Sequence, residues 1–134
     1  MKIDNVLLDE LTLKAQASPR LRMNLDLRNS DADFSQRMLN AIEPGSVVPV
    51  HRHQKSSETV VVLRGCALEE YYSSEGEVVA TYELTACGPV YALNISAGQW
   101  HTIRALDSGT VILEMKDGSF VPIQECDILK WGLI

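Results

Sequence analysis

Two of the chain's three histidines, His51 and His53, stand two residues apart. In an extended segment such residues project to one side, roughly 6.5–7 Å apart along the backbone. Two imidazoles so placed can close on one ion at about 2.0–2.1 Å. Glu58 follows five residues later, far enough for the chain to turn and offer a carboxylate from the next strand. His101 comes after Ala97-Gly98-Gln99-Trp100, in a segment that a closed barrel would carry across to face the first. A His-x-His pair alone is weak evidence, and a lone histidine is usually a surface or a satisfied core residue. Here every histidine of the chain falls in one spaced set: Gly45, His51, His53, Glu58, Gly65, then Gly98 and His101. Several ligand types in a matching strand context predict a site for one divalent metal ion.

Three neutral imidazoles and a carboxylate suit borderline ions such as Zn, Fe, Ni, Co or Mn. Around an octahedral ion, four protein ligands leave two positions open. A substrate with two adjacent oxygens can chelate there, or substrate and dioxygen can share them. A structural zinc site is instead closed and tetrahedral, often with cysteines. Cys66, Cys87 and Cys126 are widely spaced and form no CxxC pair. They read as free thiols in a reducing cytoplasm rather than as ligands or a disulfide framework.

The elements that must position these ligands are mostly short strands. Residues 4–16 read as the one substantial helix. Asp4 can cap it, and Ile3 with Leu8 has the spacing of a hydrophobic staple. Val6, Leu7, Leu11 and Ala15 continue at helical spacing, and Ser18-Pro19 ends it. The period then drops to two: Leu21, Met23, Leu25 and Leu27 alternate with Arg22, Asn24 and Asp26, a half-buried strand. FSQRMLNAIE, TVVVLR, ALEEYY, VVATYEL, VYALNI and TVILEMK follow as strand-like runs between glycine-marked turns, with Gly76 turning a hairpin. That spacing predicts an all-β sandwich or barrel.

Acid–base or binding residues near such a site would have to face inward. Glu114 and Lys116 share one face of their strand with Ile112. Charges facing a barrel interior are costly unless functional or paired, and a solvated face is the equally good alternative. Arg22 and Asn24 share the face opposite Met23 and Leu25. Arg37 and Asn40 lie on opposite faces of their strand, so at most one points inward. Arginine recognises carboxylate or phosphate well, though most arginines are on surfaces. Tyr71, Tyr72, Tyr82 and Tyr91 serve as core, interface or substrate platform on equal terms. Arg22, Asn24, Arg37, Glu114 and Lys116 are therefore the substrate-binding candidates; no catalytic residue is singled out.

A length of 134 residues suits one domain, and a chain of 46% hydrophobic residues can bury a core without staples. A net charge of -6 argues against nucleic acid and against anionic lipid. Acidic residues interrupt MKIDNVLLDELTLK, so it is not read as a signal or transit peptide, and no run approaches the ~20 apolar residues of a membrane span. A small-molecule ligand and a cytoplasmic location are the expectations.

The spaced set resembles the cupin superfamily. Gly45, His51, His53, Glu58 and Gly65 match its first motif, and Gly98 with His101 the second. Ser96 stands where proline is usual and Ala105 where asparagine is frequent, departures that touch loop rigidity and not the ligands. The resemblance implies an all-β jelly-roll barrel, a double-stranded β-helix with a short N-terminal helix, over one domain at 1–134. Its helix would span about 4–16, its barrel about 20–118 and its tail 119–134. A narrower likeness, through ASPRLRMNLDL, QRMLNAIEPGS, HRH, SAGQWHTIRALDSGTVILEMKDGSF and the closing DILKWG, is to WbuC-type cupin-fold metalloproteins. Relatives often carry tryptophan between the second histidine and the glutamate, where this chain has Ser57. That likeness implies His51, His53, Glu58 and His101 as ligands of one metal and a bacterial surface-polysaccharide setting. The open metal positions then suit a metal-dependent isomerase, lyase or oxygenase acting on a sugar-derived or carboxylate-bearing molecule. The alternative is a non-catalytic metal and small-molecule binding accessory. Cupins commonly pair through sheet edges, so a homodimer through a strand such as 21–27 is also expected.

Overall fold

The structure is a computed structural model and describes residues 1–130. Helix α1 (Asn5–Ala17) precedes eight strands: β1 (Arg22–Asp26), β2 (Ser35–Ile42), β3 (Glu58–Arg64), β4 (Cys66–Tyr72), β5 (Val78–Thr85), β6 (Ala92–Ile95), β7 (Trp100–Ala105) and β8 (Thr110–Asp117). They form two antiparallel sheets, ordered β1-β2-β8-β3-β6 and β5-β4-β7. The order shows the winding of a jelly roll: β8 returns from the end of the chain to lie between β2 and β3. Residues of the WbuC-like ending at 131–134 lie outside the described residues.

The helix begins where Asp4 accepts a hydrogen bond from the Leu7 amide at 3.1 Å, and ends as Ser18 turns extended before Pro19. Its buried stripe is Leu8, Leu11, Thr12 and Ala15. Val6 and Ile3, placed by spacing on the apolar side, are exposed, 66% and 46% respectively. The stripe is rotated because the helix lies on the outer face of the larger sheet, against Met23, Leu25, Leu39, Ala41 and Val111. Arg64 pins it, donating to Asp9 at 2.7 Å and Thr12 at 2.9 Å.

This arrangement decides what β1 does with its two faces. The apolar face of the alternating run is spent under the helix, and Arg22, Asn24 and Asp26 are left on the barrel side. The barrel has a second core of Ile42, Val60, Val62, Ala67, Leu84, Ile95, Ile103, Ala105 and Ile112. Each fully buried aliphatic side chain contributes roughly 1.5–3 kcal/mol, so two such clusters can support the fold without a metal.

Pairing sets which polar groups share the interior with that core. On β3 and β8 the partners are Glu58↔Lys116, Val60↔Glu114 and Val62↔Ile112. The register shifts beyond Val62, beside Gly65, whose φ is +85°. A Cβ there would come within 2.8 Å of the Thr110 backbone, so the close approach of the two strands requires glycine.

Candidate metal centre

His51 and His53 do not sit on a regular strand. His51 makes isolated bridges to His101 and Ile128, and residues 52–57 run as a loop into β3. The segment is extended all the same, tied by paired bonds between His51 and His101 of 3.0 and 2.8 Å. Glu58 opens β3 and His101 is the second residue of β7. All four side chains meet at one end of the barrel, where the described residues contain a group that could hold a metal ion: His51, His53, Glu58 and His101, with ligand atoms within 4.8 Å of one another. The three rings lie 4.4–5.7 Å apart by centroid.

The hydrogen bonds behind the rings settle which nitrogen faces the centre. His51 Nδ1 lies 2.8 Å from the Pro49 carbonyl, and His101 Nδ1 lies 2.9 Å from that of Gln99. A carbonyl only accepts, so each Nδ1 carries the proton and each Nε2 presents a bare lone pair inward. This is the support that metal-binding imidazoles require. His101 Nε2 is buried and has no hydrogen-bond partner, an orphan that a metal would satisfy. Glu58 Oε2 is 2.9 Å from His53 Nε2 and 4.0 Å from His101 Nε2. The donor set and its spacing therefore fit a divalent ion.

Electrostatics at the centre favours ligation over protonation. Burial, then the neighbouring His101, pushes His51 down to about 4. Burial also lowers His101. For Glu58, burial raises the pKa, but the His53 hydrogen bond and the His101 charge outweigh it and hold the carboxyl below its ordinary range.

Of the substrate-binding candidates, Glu114 and Lys116 turn into the barrel beside the ligands. Glu114 Oε2 is shut off from solvent with no hydrogen-bond partner, and burial followed by the Glu58 charge raises this carboxyl to about 8. Lys116 Nζ lies 3.3 Å from His53 Nδ1. Asn24 lines the same cavity. Arg22 sits lower, its guanidinium donating to the Val47 carbonyl at 2.7 Å. Arg37 reaches the cavity rim but is paired with Asp33 at 3.1 Å, and Asn40 is the residue of that strand that points inward.

Two cavities open on the centre. One, of 240 Å³, is lined by Glu58, Glu114, Lys116, Met38, Arg28 and Phe120 among others. The other, of 620 Å³, lies between His53, Lys116 and the tail residues Val121, Pro122 and Ile123. Gln36 and Lys116 border both. The tail holds its place by Arg52 pairing with Asp127 at 3.0 Å and by the Leu129 amide donating to the Val50 carbonyl at 2.8 Å. Arg52 also stacks over Trp100 at 4.5 Å.

Sequence reasoning passed over Glu69. It is 1% exposed inside the barrel, with Oε1 unpartnered, and burial followed by the Glu58 charge pushes it up to about 9. Strand alternation offers no signal, because ALEEYY puts one glutamate on each face.

Two antiparallel sheets wound as a jelly roll, with a His₃Glu cluster at one end, make a cupin fold, and solved structures agree in that fold. Capsular polysaccharide assembling protein CapF from Staphylococcus aureus aligns at TM-score 0.59 and 17% identity, over 75% of this chain and 32% of that one. Oxalate oxidase in complex with a substrate analogue, glycolate, aligns at 0.65 and 14%, over 81% and 57%. A cupin 2 domain-containing protein from Halorhodospira halophila aligns at 0.60 and 21%, over 77% and 68%. At such identities the likeness shows the fold. The chain spans 28–32% of the CapF chains it matches. The chain belongs to the family described as domain of unknown function (DUF6016), which matches residues 3–84. No curated protein matches it in sequence.

Proposed function

We propose that this cupin is a metal-dependent enzyme whose chemistry is proton transfer on a small oxygen-rich molecule, as in an isomerase or lyase. The observation that carries this reading is Glu114: a half-buried residue beside Glu58, with one carboxyl oxygen shut off from solvent and unpartnered, lining a cavity that reaches that ligand. A binding module needs only ligands and an apolar lining. A structural zinc site is often built with cysteines, and this cluster contains none. In the metal-free protein this carboxyl is raised to about 8, and a bound cation would bring it down from there toward the range in which general acid–base catalysis works near neutrality.

His51, His53, Glu58 and His101 would hold one divalent ion, with Zn, Fe, Ni, Co and Mn all suited to the donors. When bound there, the ion supplies Lewis-acid polarisation of a substrate oxygen. Glu114 then moves the proton, Lys116 orients the negative end of the substrate, and the tail from Val121 to Asp127 limits entry of water. A sugar-derived substrate in surface-polysaccharide metabolism is supported by the WbuC-like runs and by CapF, a capsular polysaccharide assembling protein with the same fold. A single domain over the whole chain, a cytoplasmic location and pairing as a homodimer belong to the same reading.

The test is deuterium wash-in. Metal-loaded protein is incubated in D₂O with a panel of sugar acids and nucleotide sugars, and products are read by NMR. Carbon-bound deuterium next to a carbonyl is expected, together with its loss in Glu114→Gln and no oxygen uptake by iron-loaded protein. Binding without exchange across the panel would favour the accessory alternative; oxygen consumption would replace proton transfer with oxygenation.

A further inference from the structure

Lys116 is the one cation lining the smaller cavity that forms no ion pair among the described residues. The others at its wall are spent: Arg28 on Asp26 at 2.8 Å, and Arg37 on Asp33 at 3.1 Å. Arg52, which borders the larger cavity, is spent on Asp127. Lys116 forms no ion pair among the described residues, and its ammonium rests against His53 Nδ1.

That contact cannot survive ligation through His53 Nε2. A neutral imidazole carries one N–H. While Nε2 donates to Glu58 at 2.9 Å, Nδ1 is free to accept from Lys116 at 3.3 Å. Once Nε2 gives its lone pair to a metal, the proton resides on Nδ1, and two donors then face each other. Lys116 must find another acceptor. The charge count says what kind: a doubly positive ion, the Glu58 carboxylate and the Lys116 ammonium leave two positive charges. Even with Glu114 ionised, one remains at a half-buried site, and an uncompensated charge there is costly.

We propose that Lys116 and the metal centre together bind a small carboxylate carrying a hydroxyl or carbonyl oxygen on the neighbouring carbon. The inference rests on the metal reading above and names the class of ligand for it. One carboxylate oxygen and the neighbouring oxygen take the two positions that four protein ligands leave open, and the second carboxylate oxygen accepts from Lys116. Glu114 lines the same cavity. A cavity of 240 Å³ suits a short hydroxy acid. The adjoining 620 Å³ can take the rest of a sugar acid.

Cobalt-loaded protein tests this without an assay of turnover. Elemental analysis gives the metal content, and the visible absorption of cobalt reports a change in its coordination. The probes are paired: D-glycerate against glycerol, and D-gluconate against D-glucitol. The acids are expected to change the spectrum on binding, and the neutral partners to bind at least about tenfold more weakly, as a lost charge-assisted contact dictates. Lys116→Met should keep the cobalt and weaken the acids by about tenfold or more, while Lys116→Arg keeps most of the affinity. If Lys116→Met folds poorly, Lys116→Gln keeps a donor without the charge and should show the same loss. Cobalt-loaded protein that binds acids and neutral partners alike, or that is indifferent to Lys116, overturns this inference and leaves the metal reading standing. Wild-type protein that takes up no cobalt overturns both.

Discussion

Replacing Glu69 by glutamine should stabilise the metal-free protein, and the gain should grow with pH. Glu69 is buried, one carboxyl oxygen has no partner, and its pKa is raised from 4.5 to about 9, first by burial and then by the Glu58 charge. A folded pKa above the unfolded one means that the folded protein holds a proton the unfolded chain releases. The contribution of Glu69 is thus intact below 4.5 and is lost steadily as pH rises from there toward 9. At 1.36 kcal/mol per pH unit, keeping this carboxyl protonated costs ~1 kcal/mol at pH 5 and up to ~3 kcal/mol at pH 7. Glutamine has nearly the same shape and no proton to hold. Glu69→Gln should then raise the melting temperature by a few degrees at pH 5 and by roughly 10 °C at pH 7, at about 3–4 °C per kcal/mol for a domain of this size. The measurement is thermal unfolding by circular dichroism at half-unit steps between pH 5 and 8, wild type against variant. Loading the metal should shrink the difference, since a nearby cation favours the ionised carboxyl. A difference independent of pH, or a variant less stable throughout, would refute the claim that Glu69 is held neutral.

Three further outcomes are expected. Protein made in metal-replete medium should carry about one divalent ion per chain by elemental analysis, with most of it lost in His51→Ala and in His101→Ala. A chelator should lower the melting temperature by mass action yet leave the circular dichroism spectrum at room temperature unchanged, because both apolar cores form without the site. Gly65→Ala should destabilise by several kcal/mol in denaturant titration, since it combines a φ of +85° with a Cβ 2.8 Å from the Thr110 backbone.

How much of this was legible in the residues depends on whether a face had two readings. His51, His53, Glu58 and His101 were identifiable because their types have few other reasons to recur at that spacing, and the structure gathers all four. The strands were legible where alternation was clean, but Trp100–Ala105 was not marked as one, its WHTIRA mixing polar and apolar residues on both faces. The face of Arg22 and Asn24 was ambiguous in kind: an apolar alternation says that one side is buried, not against what. Here the helix takes that side, and the polar side is left to the barrel. Glu114 and Lys116 had equal claims to solvent and interior, and only the pairing of Glu58 with Lys116 and of Val60 with Glu114 resolves them. Glu69 and Glu70 show the limit most directly. They are neighbours of one type, yet one is sealed inside and the other faces Arg104 outside, 3.6 Å away. The tail that walls the larger cavity has no period at all, because its hold is Asp127, which accepts from Arg52 and Gln54, and a few backbone bonds to residues 50–52. What escapes the sequence is therefore the part of the site set by long-range register. Glu114 and Lys116 owe their place to β8 returning between β2 and β3, and a different register there would leave the ligands intact and remove the chemistry beside them.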